Sequence, residues 1–205
     1  MRDMAEWLTI FKEQLIQTPL IQWFGVLFGI AEVLLARYNK VALYPCGIIS
    51  ILITMFVLYE AGLYAEILLN AYYLVMSIYG WYYWLRKGSS EKVPITTCST
   101  SDWLVVAGFL LLGTPFLYKI LIHFTDSTVP LWDTWVSVTA WAGMWLLAKR
   151  KIENWLLLNI SNAFAIPLYI HKDLLLYAIL TLILFIVAIF GYFAWKKKIY
   201  RQLNV

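Results

Sequence analysis

The chain has 205 residues, of which 62% are hydrophobic and only 14% are charged. A soluble domain of this length could not bury so much apolar surface, so the composition excludes an ordinary globular protein and predicts an integral membrane protein. Because the apolar runs are continuous rather than alternating, we expect an all-α fold and not a β-barrel. The net charge of +4 is small and lies between the apolar runs, which indicates membrane orientation and no nucleic-acid partner.

Residues 1–17 carry charges among apolar positions and differ in this from the runs that follow. Trp7, Leu8, Phe11 and Leu15 fall on one face of a helix, so we predict a short amphipathic helix that lies in the membrane interface. A frayed tail is the alternative. The segment lacks the uncharged run of a secretory signal, so no cleavable signal peptide is expected.

Apolar length and helix-terminating residues predict seven transmembrane spans. Pro115 predicts a kink in the fourth span, and Pro167 predicts a bend in the sixth. The polar stretch 86–102, with its Gly, Ser and Thr residues, is typical of a loop between helix bundles. The predicted spans are residues 19–36, 41–59, 62–85, 103–122, 130–148, 152–170 and 174–195.

Basic residues are unevenly divided between the two membrane sides that seven spans would create. One side carries 12 of the 16 basic residues and the other side carries four. The positive-inside rule makes the first side cytoplasmic, with the N-terminus outside and the C-terminus inside. The basic residues on the cytoplasmic side are Arg37, Lys40, Arg86, Lys87, Lys92, Lys149, Arg150, Lys151, Lys196, Lys197, Lys198 and Arg201.

An internal repeat becomes visible when the sequence is aligned with itself so that Gly80 falls on Gly191. We call this alignment the repeat register. Further pairs in the same order are Lys40 with Lys151, Ile49 with Ile160, Ser50 with Ser161, Leu63 with Leu174 and Trp84 with Trp195. Spans 1–3 would thus match spans 5–7 in the same orientation, with span 4 as a connector. This 3+1+3 arrangement with a parallel repeat predicts a substrate path between the halves, near mid-membrane.

The repeat divides the chain into five predicted segments. Residues 1–17 are the interfacial segment, and residues 18–85 form the first three-helix unit. Residues 86–129 contain a cytoplasmic loop and the linker helix. Residues 130–197 form the second three-helix unit, and residues 198–205 form a cytoplasmic tail.

The third span carries a polar stripe along an otherwise apolar helix. Its members lie at i, i+4, i+7, i+11 and i+14 and are Glu66, Asn70, Tyr73, Ser77 and Gly80. Polar groups inside a membrane normally face a protein interior or a watery path. The stripe therefore predicts either a substrate path, with Glu66 attracting a cation at the outer mouth, or hydrogen bonds and small-residue contacts that hold helices together.

A second polar stripe lies on the sixth span and consists of Trp155, Asn159 and Asn162. Two amides and an indole suit a flat, polar, aromatic ligand, because the amides donate and accept hydrogen bonds and the ring offers a stacking face. Interhelical hydrogen bonding is the alternative. On the fifth span, Thr139 is expected to point to the interior.

Three further polar residues inside the spans have a structural explanation. Ser50 and Thr54 are expected to bond to backbone carbonyls, and Glu32 is expected to form an ion pair with the basic turn 37–40. The sequence contains no phosphate-binding Gly loop, no metal-ligand spacing at Cys or His and no suggestion of a catalytic triad. We therefore expect no cofactor, no metal and no enzymatic activity.

The stretch 70–84, NAYYLVMSIYGWYYW, resembles the signature of the nicotinamide riboside transporter (PnuC) family. The stretch 141–149, WAGMWLLAK, and its continuation through Glu153 and Asn154 to Asn162 resemble the same family. The resemblance implies a SWEET-like 3+1+3 fold, a homotrimer in the bacterial inner membrane, and uptake of a vitamin by facilitated diffusion for NAD biosynthesis.

Family members carry a Trp-x-x-Trp-x-x-x-Asn pattern on the sixth span, where these side chains contact the vitamin. Trp155 and Asn162 match its first and last positions, whereas Leu158 replaces the middle tryptophan. A tryptophan face attracts a cationic ring by about 0.5–2 kcal/mol, so this replacement leaves the choice between nicotinamide riboside and thiamine open. We expect Asn70 and Tyr73, from the polar stripe of the third span, to contact the solute together with Asn159 and Asn162.

The polar stripes and the repeat predict supporting roles for the remaining residues. Gly80 and Gly191 would allow close helix approach where the halves move, and Ser77, Thr139 and Glu66 would line the path. Two other classes of function stay open at this point. A membrane enzyme or receptor would bind the ligand without moving it, and a channel would conduct it without saturation.

Overall fold

The computed structural model describes residues 4–60, 62, 64–86 and 94–203, leaving aside the side chains of residues 4, 5, 64–66, 68 and 203. The described residues form helices, with one isolated bridge between Thr96 and Lys151, and this confirms the all-helical prediction. The helices are α1 (Met4–Gln17), α2 (Leu20–Arg37), α3 (Leu43–Glu60), α4 (Tyr64–Leu85), α5 (Thr100–Gly108), α6 (Thr114–Phe124), α7 (Pro130–Ala148), α8 (Asn154–His171) and α9 (Leu175–Leu203).

Several helices are long and apolar enough to cross a membrane. Within the described residues, four segments meet this criterion by length and composition: Leu20–Arg37, Leu43–Glu60, Thr100–Phe124 and Leu175–Gln202. Large hydrophobic side chains also cover the outside of the bundle, as the exposed Leu111 and Leu112 illustrate. A multi-pass membrane protein follows from these helices, because a bilayer rather than water accommodates such a surface.

Two helix boundaries differ from the predicted spans for identifiable reasons. The predicted loop 86–102 ends early, because Ser99 and Asp102 form a capping box that starts α5 at Thr100. The helix α9 continues to Leu203 instead of ending at Trp195, so most of the predicted tail is helical. Basic residues at a helix C-terminus complement the helix dipole, which favours this extension.

The expected break near Pro115 takes the form of a π-helical turn. Residues Phe109–Gly113 form this turn between α5 and α6, and Pro115 lies in the first turn of α6. Proline has no N–H to donate to the preceding turn, so the regular α-helical pattern cannot run through this point unchanged. In contrast, α8 continues as an α-helix through Pro167.

In the described part of the chain, six helices contact one another in a closed order: α2, α3, α4, α7, α8, α9 and back to α2. The helix α6 packs outside this ring against α7 and α4, and α1 packs against α9. Side chains of six different helices can therefore reach the interior of the ring, so we expect a binding site there.

The helices α2, α4, α7 and α9 end at the same end of the ring. Trp84 Nε1 donates to Ala148 O at 3.2 Å, Trp195 Nε1 donates to Ala36 O at 2.8 Å, and the ring centroids of Trp84 and Trp195 lie 6.2 Å apart, which brings the two pairs of helices together. We call it the basic end, since Arg37 and the lysines that follow α7 and Trp195 lie there.

Local geometry recurs along the chain in the repeat register. Ser50 Oγ donates to Gly25 O at 2.8 Å, and Ser161 Oγ donates to Val136 O at 2.7 Å. Each hydroxyl therefore links two neighbouring helices: Ser50 joins α3 to α2, and Ser161 joins α8 to α7. The bond at Ser50 also confirms the expected hydroxyl–backbone contact.

The turns after α2 and α7 provide a second recurrence. Asn39 has a φ of 59° and Arg150 a φ of 57°, both in the left-handed region. The N–H groups of Lys40 and Lys151 donate back into the preceding helix at 3.0 and 2.9 Å. These are C-terminal caps of the Schellman type, and they turn the chain in the same way at both places.

Candidate functional site

Four aromatic rings cross the interior of the ring of helices near its basic end. Tyr44 and Trp84 meet edge to face with centroids 5.2 Å apart, and Trp155 and Trp195 meet in the same way at 5.6 Å. The centroids of Trp84 and Trp195 lie 6.2 Å apart and so join the two pairs. All four side chains are buried. We call these four residues the aromatic floor.

Two glycines let the floor form. A Cβ on Gly80 would lie 2.5 Å from Cε1 and Oη of Tyr44, and a Cβ on Gly191 would lie 2.7 Å from Cη2 of Trp155. Since real Cβ atoms do not approach other atoms so closely, only glycine fits at either place. The two glycines and the two rings correspond in the repeat register, so each group of three helices seats one aromatic ring on one glycine.

Polar atoms without partners accumulate on the floor and beside it. Among the buried side-chain atoms that have no hydrogen-bond partner within the described residues, two belong to the floor, two to the polar stripes of α4 and α8, and one to Trp141 of α7: Tyr44 Oη, Trp155 Nε1, Ser77 Oγ, Asn159 Oδ1 and Trp141 Nε1. Buried polar groups normally find a partner, because leaving one unpaired costs about 1–3 kcal/mol. A concentration of such groups beside aromatic rings is typical of a site for a polar aromatic solute.

Several of the predicted site residues come together here. Ser77 lies one helical turn from Gly80 on α4, and Asn159 lies one turn from Trp155 on α8, each on the side away from the basic end. Ser77 is fully buried, with an exposed fraction of 0%. Asn162 follows on the same face of α8 and is half-buried.

Other predicted residues occupy different surroundings. Thr139 is buried, but its hydroxyl donates to Trp135 O at 2.7 Å, inside its own helix. Asn70 is half-buried. The side chain of Glu66 lies outside the described residues.

Tyr73 belongs to an aromatic wall rather than to the floor. Its ring lies 6.0 Å from that of Tyr72, whose own ring is 4.9 Å from Trp141. Tyr72 Oη donates to Trp141 O at 2.9 Å and thereby fixes α4 to α7. This wall connects α4 with α7.

Arg150 is a site component that was missed from the sequence. Its side chain is only 1% exposed, and its guanidinium lies 3.9 Å from the ring centroid of Trp84. Burial lowers the pKa of Arg150 to about 10, so the group remains charged at neutral pH. Arg150 therefore packs against the aromatic floor on the side of the basic end. The sequence offered little signal, because Arg150 stands between Lys149 and Lys151 in an ordinary membrane-edge basic run.

Glu32 does not make the ion pair expected from the sequence. The Arg37 guanidinium instead lies over the rings of Tyr38 and Phe190, at 5.6 and 5.2 Å from their centroids. No basic side chain in the described ranges lies within ion-pair distance of Glu32. Its carboxylate reaches towards α3 at Gly47.

Three clefts surround this site without passing through it. One of about 280 Å³ lies between α2, α3 and α9, one of about 250 Å³ lies beside α1, and one of about 700 Å³ lies beside Trp132 and Trp135. None of the three is lined by Trp155, Asn159 or Asn162.

Comparisons with known proteins identify relatives along most of the chain. The chain is 24% identical over 201 residues to the nicotinamide riboside transporter PnuC of Escherichia coli (strain K12), covering 85% of this chain and 84% of the relative. It is 25% identical over 187 residues to the nicotinamide riboside transporter PnuC of Neisseria mucosa, covering 85% of this chain and 71% of the relative.

A solved structure has the same fold. The crystal structure of the vitamin B3 transporter PnuC matches with a TM-score of 0.71 and 23% sequence identity, over 95% of this chain and 90% of that one. The sequence model of the family described as nicotinamide mononucleotide transporter matches residues 19–197, most of the chain. The chain therefore belongs to the nicotinamide mononucleotide transporter family, a family of membrane transporters.

Proposed function

We propose that the protein takes up nicotinamide riboside across the bacterial inner membrane by facilitated diffusion. The observation that carries this is the group of unpaired buried polar atoms beside the aromatic floor, where helices of both halves meet. Membership of a transporter family and relatives named nicotinamide riboside transporters support it. Thiamine, another flat cation, is the second candidate because Leu158 stands where the family has tryptophan.

The proposed architecture is seven spans in a 3+1+3 order with a parallel repeat. In it, α2–α4 form the first unit (18–85), α7–α9 the second (130–197), and α5 and α6 together the linker span within 86–129. The bonds and turns that recur in the repeat register support this division. The closed order of helix contacts supports it as well, because α4 meets α7 and α9 meets α2 at the two junctions.

Recognition would combine hydrogen bonds with ring stacking. Asn159 and Asn162, together with Asn70, would bond the ribose hydroxyls or the carboxamide, since an amide both donates and accepts. Trp155 would stack on the ring with Tyr73. Ser77 and Thr139 would line the path, Thr139 through the lone pairs that its backbone bond leaves available, and Glu66 would attract the cation at the outer mouth.

Transport would require the aromatic floor to open. The indole bonds of Trp84 and Trp195 each join one half to the other, so they hold the basic end closed. By the positive-inside rule the basic end faces the cytoplasm, which puts the N-terminus outside and the C-terminus inside. The solute would move down its gradient and be trapped by a cytoplasmic kinase, and the protein would act as a homotrimer with one path per subunit.

Counterflow in proteoliposomes tests the proposal. Vesicles loaded with unlabelled nicotinamide riboside should accumulate the labelled compound, and the variants Trp155→Ala and Asn159→Ala should lose most of this uptake. Leu156→Ala is the matched control, because Leu156 is adjacent on α8 but 51% exposed. In parallel, thermal unfolding of the purified protein is measured with nicotinamide riboside, thiamine, riboflavin and a deoxynucleoside. The compound that raises the Tm identifies the vitamin, since a selective ligand stabilises the folded state that it binds.

The same measurement separates the other classes of function. A channel would give uptake without saturation and without counterflow. A receptor or an enzyme would bind the vitamin without accumulating it in vesicles. Unchanged counterflow in both the Trp155 and the Asn159 variants would remove these residues from the site.

A further inference from the structure

The cleft between α2, α3 and α9 has a volume of about 280 Å³ and runs along one face of α2. Its α2 wall includes Gln22, Gly25, Gly29 and Glu32, which are spaced by three or four residues, together with the aliphatic Val26, Ile30 and Val33. Gln22 and Glu32 are ten residues apart, which corresponds to about 15 Å along the helix. At one end Gln22 Nε2 donates to Tyr177 Oη at 2.6 Å, and at the other end stands Glu32.

Glu32 is the one acidic residue among those that line this cleft. A Cβ on Gly47 of α3 would lie 2.5 and 2.9 Å from its two carboxylate oxygens, so the absence of a side chain there admits the carboxylate. As described above, it forms no ion pair within the described part of the chain. A carboxylate inside a membrane-spanning helix is costly, which makes Glu32 a candidate for a functional role.

The second half of the chain shows what packing alone requires at this place. In the repeat register, Glu32 corresponds to Gly143 and Gly47 corresponds to Leu158. In the second half the glycine is on the first helix of the pair and the larger side chain is on the second, and a Cβ on Gly143 would lie 2.8 Å from Cδ2 of Leu158. An apolar side chain thus fills the equivalent gap between α7 and α8. Packing does not explain why the first half uses a carboxylate.

The remaining walls of the cleft select the kind of cation. They are largely aliphatic, with Ile53, Val57, Leu180 and Leu184 among them. Of the three hydroxyls that line the cleft, those of Ser50 and Thr54 donate to the backbone oxygens of Gly25 and Ser50. The hydroxyl of Tyr177 accepts from Gln22 at the end of the cleft away from Glu32. A bare metal ion needs several oxygen ligands, whereas one carboxylate beside aliphatic walls suits an organic cation with an apolar body.

We propose that this cleft binds an organic monocation with its charge at the Glu32 carboxylate, and that Glu32 thereby makes the transporter prefer positively charged solutes. The identity of the cargo rests on the proposed function, in which the pyridinium ring of nicotinamide riboside is that cation. The cleft adjoins the aromatic floor along α3, because the Glu32 carboxylate packs against Gly47 and Tyr44 lies one helical turn before Gly47.

A pair of ligands that differ in charge but little in shape tests this. Nicotinamide riboside is a cation, and its dihydro form is neutral. Both compete against labelled nicotinamide riboside for binding to the purified protein in detergent. The wild type should prefer the charged form, and Glu32→Gln should lower that preference by about tenfold or more while leaving the neutral form unaffected.

Two further variants separate recognition from packing. Glu32→Leu introduces the side chain that fills the equivalent gap in the second half, so the fold should remain stable while the charge preference is lost. Glu60→Gln removes one negative charge from an exposed position at the end of α3 and should leave the preference unchanged. A preference for the charged form that survives in both Glu32 variants overturns the proposal.

The cation site can still be tested if the protein transports a different vitamin. A wild type that binds neither riboside would refute the proposed cargo but not the cation site. The site is then judged by thermal shift with 1-methylnicotinamide, a cation, against neutral nicotinamide. Stabilisation by the cation that disappears in Glu32→Gln supports the site, and equal or no stabilisation by the two compounds overturns it.

Discussion

Replacing Gly191 by alanine is the smallest change that tests the aromatic floor. The added Cβ would lie 2.7 Å from Cη2 and Cζ2 of Trp155 and 2.8 Å from Cε2. The indole has little room to retreat, because it is buried and its other side meets the edge of Trp195 at 5.6 Å. The methyl group must therefore displace Trp155, move α9 away from α8, or both.

The expected cost follows from a comparison with Gly108. A Cβ on Gly108 would meet nothing within 4 Å, and this residue is also helical, with φ −59° and ψ −46°. Alanine is favoured over glycine in a helix by about 1 kcal/mol, and this gain applies at both positions. Overpacking costs about 1–3 kcal/mol and applies only to Gly191→Ala. For a chain of this size, the two variants should differ by about 2–12 °C in Tm.

Thermal unfolding of both variants in detergent measures this difference, and counterflow measures its consequence for transport. A displaced Trp155 that loses about 1.4 kcal/mol of stacking would lower the affinity for a cationic ring about tenfold. Gly108→Ala should transport like the wild type. If Gly191→Ala matches Gly108→Ala in both Tm and transport, the ring does not rest on the glycine and the floor is wrongly assigned.

Three further predictions concern the basic end. Trp84→Phe and Trp195→Phe keep a ring but remove the N–H that bonds to the other half, so each should lower the free energy of unfolding by about 0.5–1.5 kcal/mol, and an unchanged Tm would contradict this. Arg150→Lys loses the flat contact with Trp84 and should lower stability by about 2 kcal/mol, which chemical denaturation measures and equal midpoints would refute. Burial, together with the hydrogen bond and charge of Glu153, raises the pKa of Cys98 to about 12, so its thiolate forms only as the pH approaches that value. Maleimide labelling of Cys98 near neutral pH should be slow and should accelerate in Glu153→Gln, as mass spectrometry of the labelled peptide would show; equal rates would refute the charge effect.

The helices were largely predictable because long apolar runs and their end signals act locally. Pro130 at the start and Lys149 after the end predict α7 with the bounds that the structure has. The helix α9 was predicted too short, because hydropathy stops at Trp195 whereas helix formation does not. Lysine and arginine are good helix formers, so a basic run ends a membrane span without ending a helix.

The site was predictable where both halves carry the same residue type. Gly80 and Gly191 define the repeat register, and the structure seats an aromatic ring on each. Tyr44 was missed although the same register pairs it with Trp155, because one ring is a phenol and the other an indole. Arg150 was missed because its burial depends on the fold of the turn after α7, which no local pattern reports.

The two indole bonds at the basic end explain how a closed arrangement can still open under the proposed mechanism. Trp84 of the first half bonds to the end of α7, and Trp195 of the second half bonds to the end of α2, so separation of the halves breaks both together. Two such bonds contribute about 1–3 kcal/mol in total, because the freed groups meet water at a charged edge rather than hydrocarbon. An energy difference of a few kcal/mol leaves the minor state populated at about 0.1–10%. Under the proposed mechanism, the closed end would thus be stable enough to hold a solute and weak enough to release it without an external energy source.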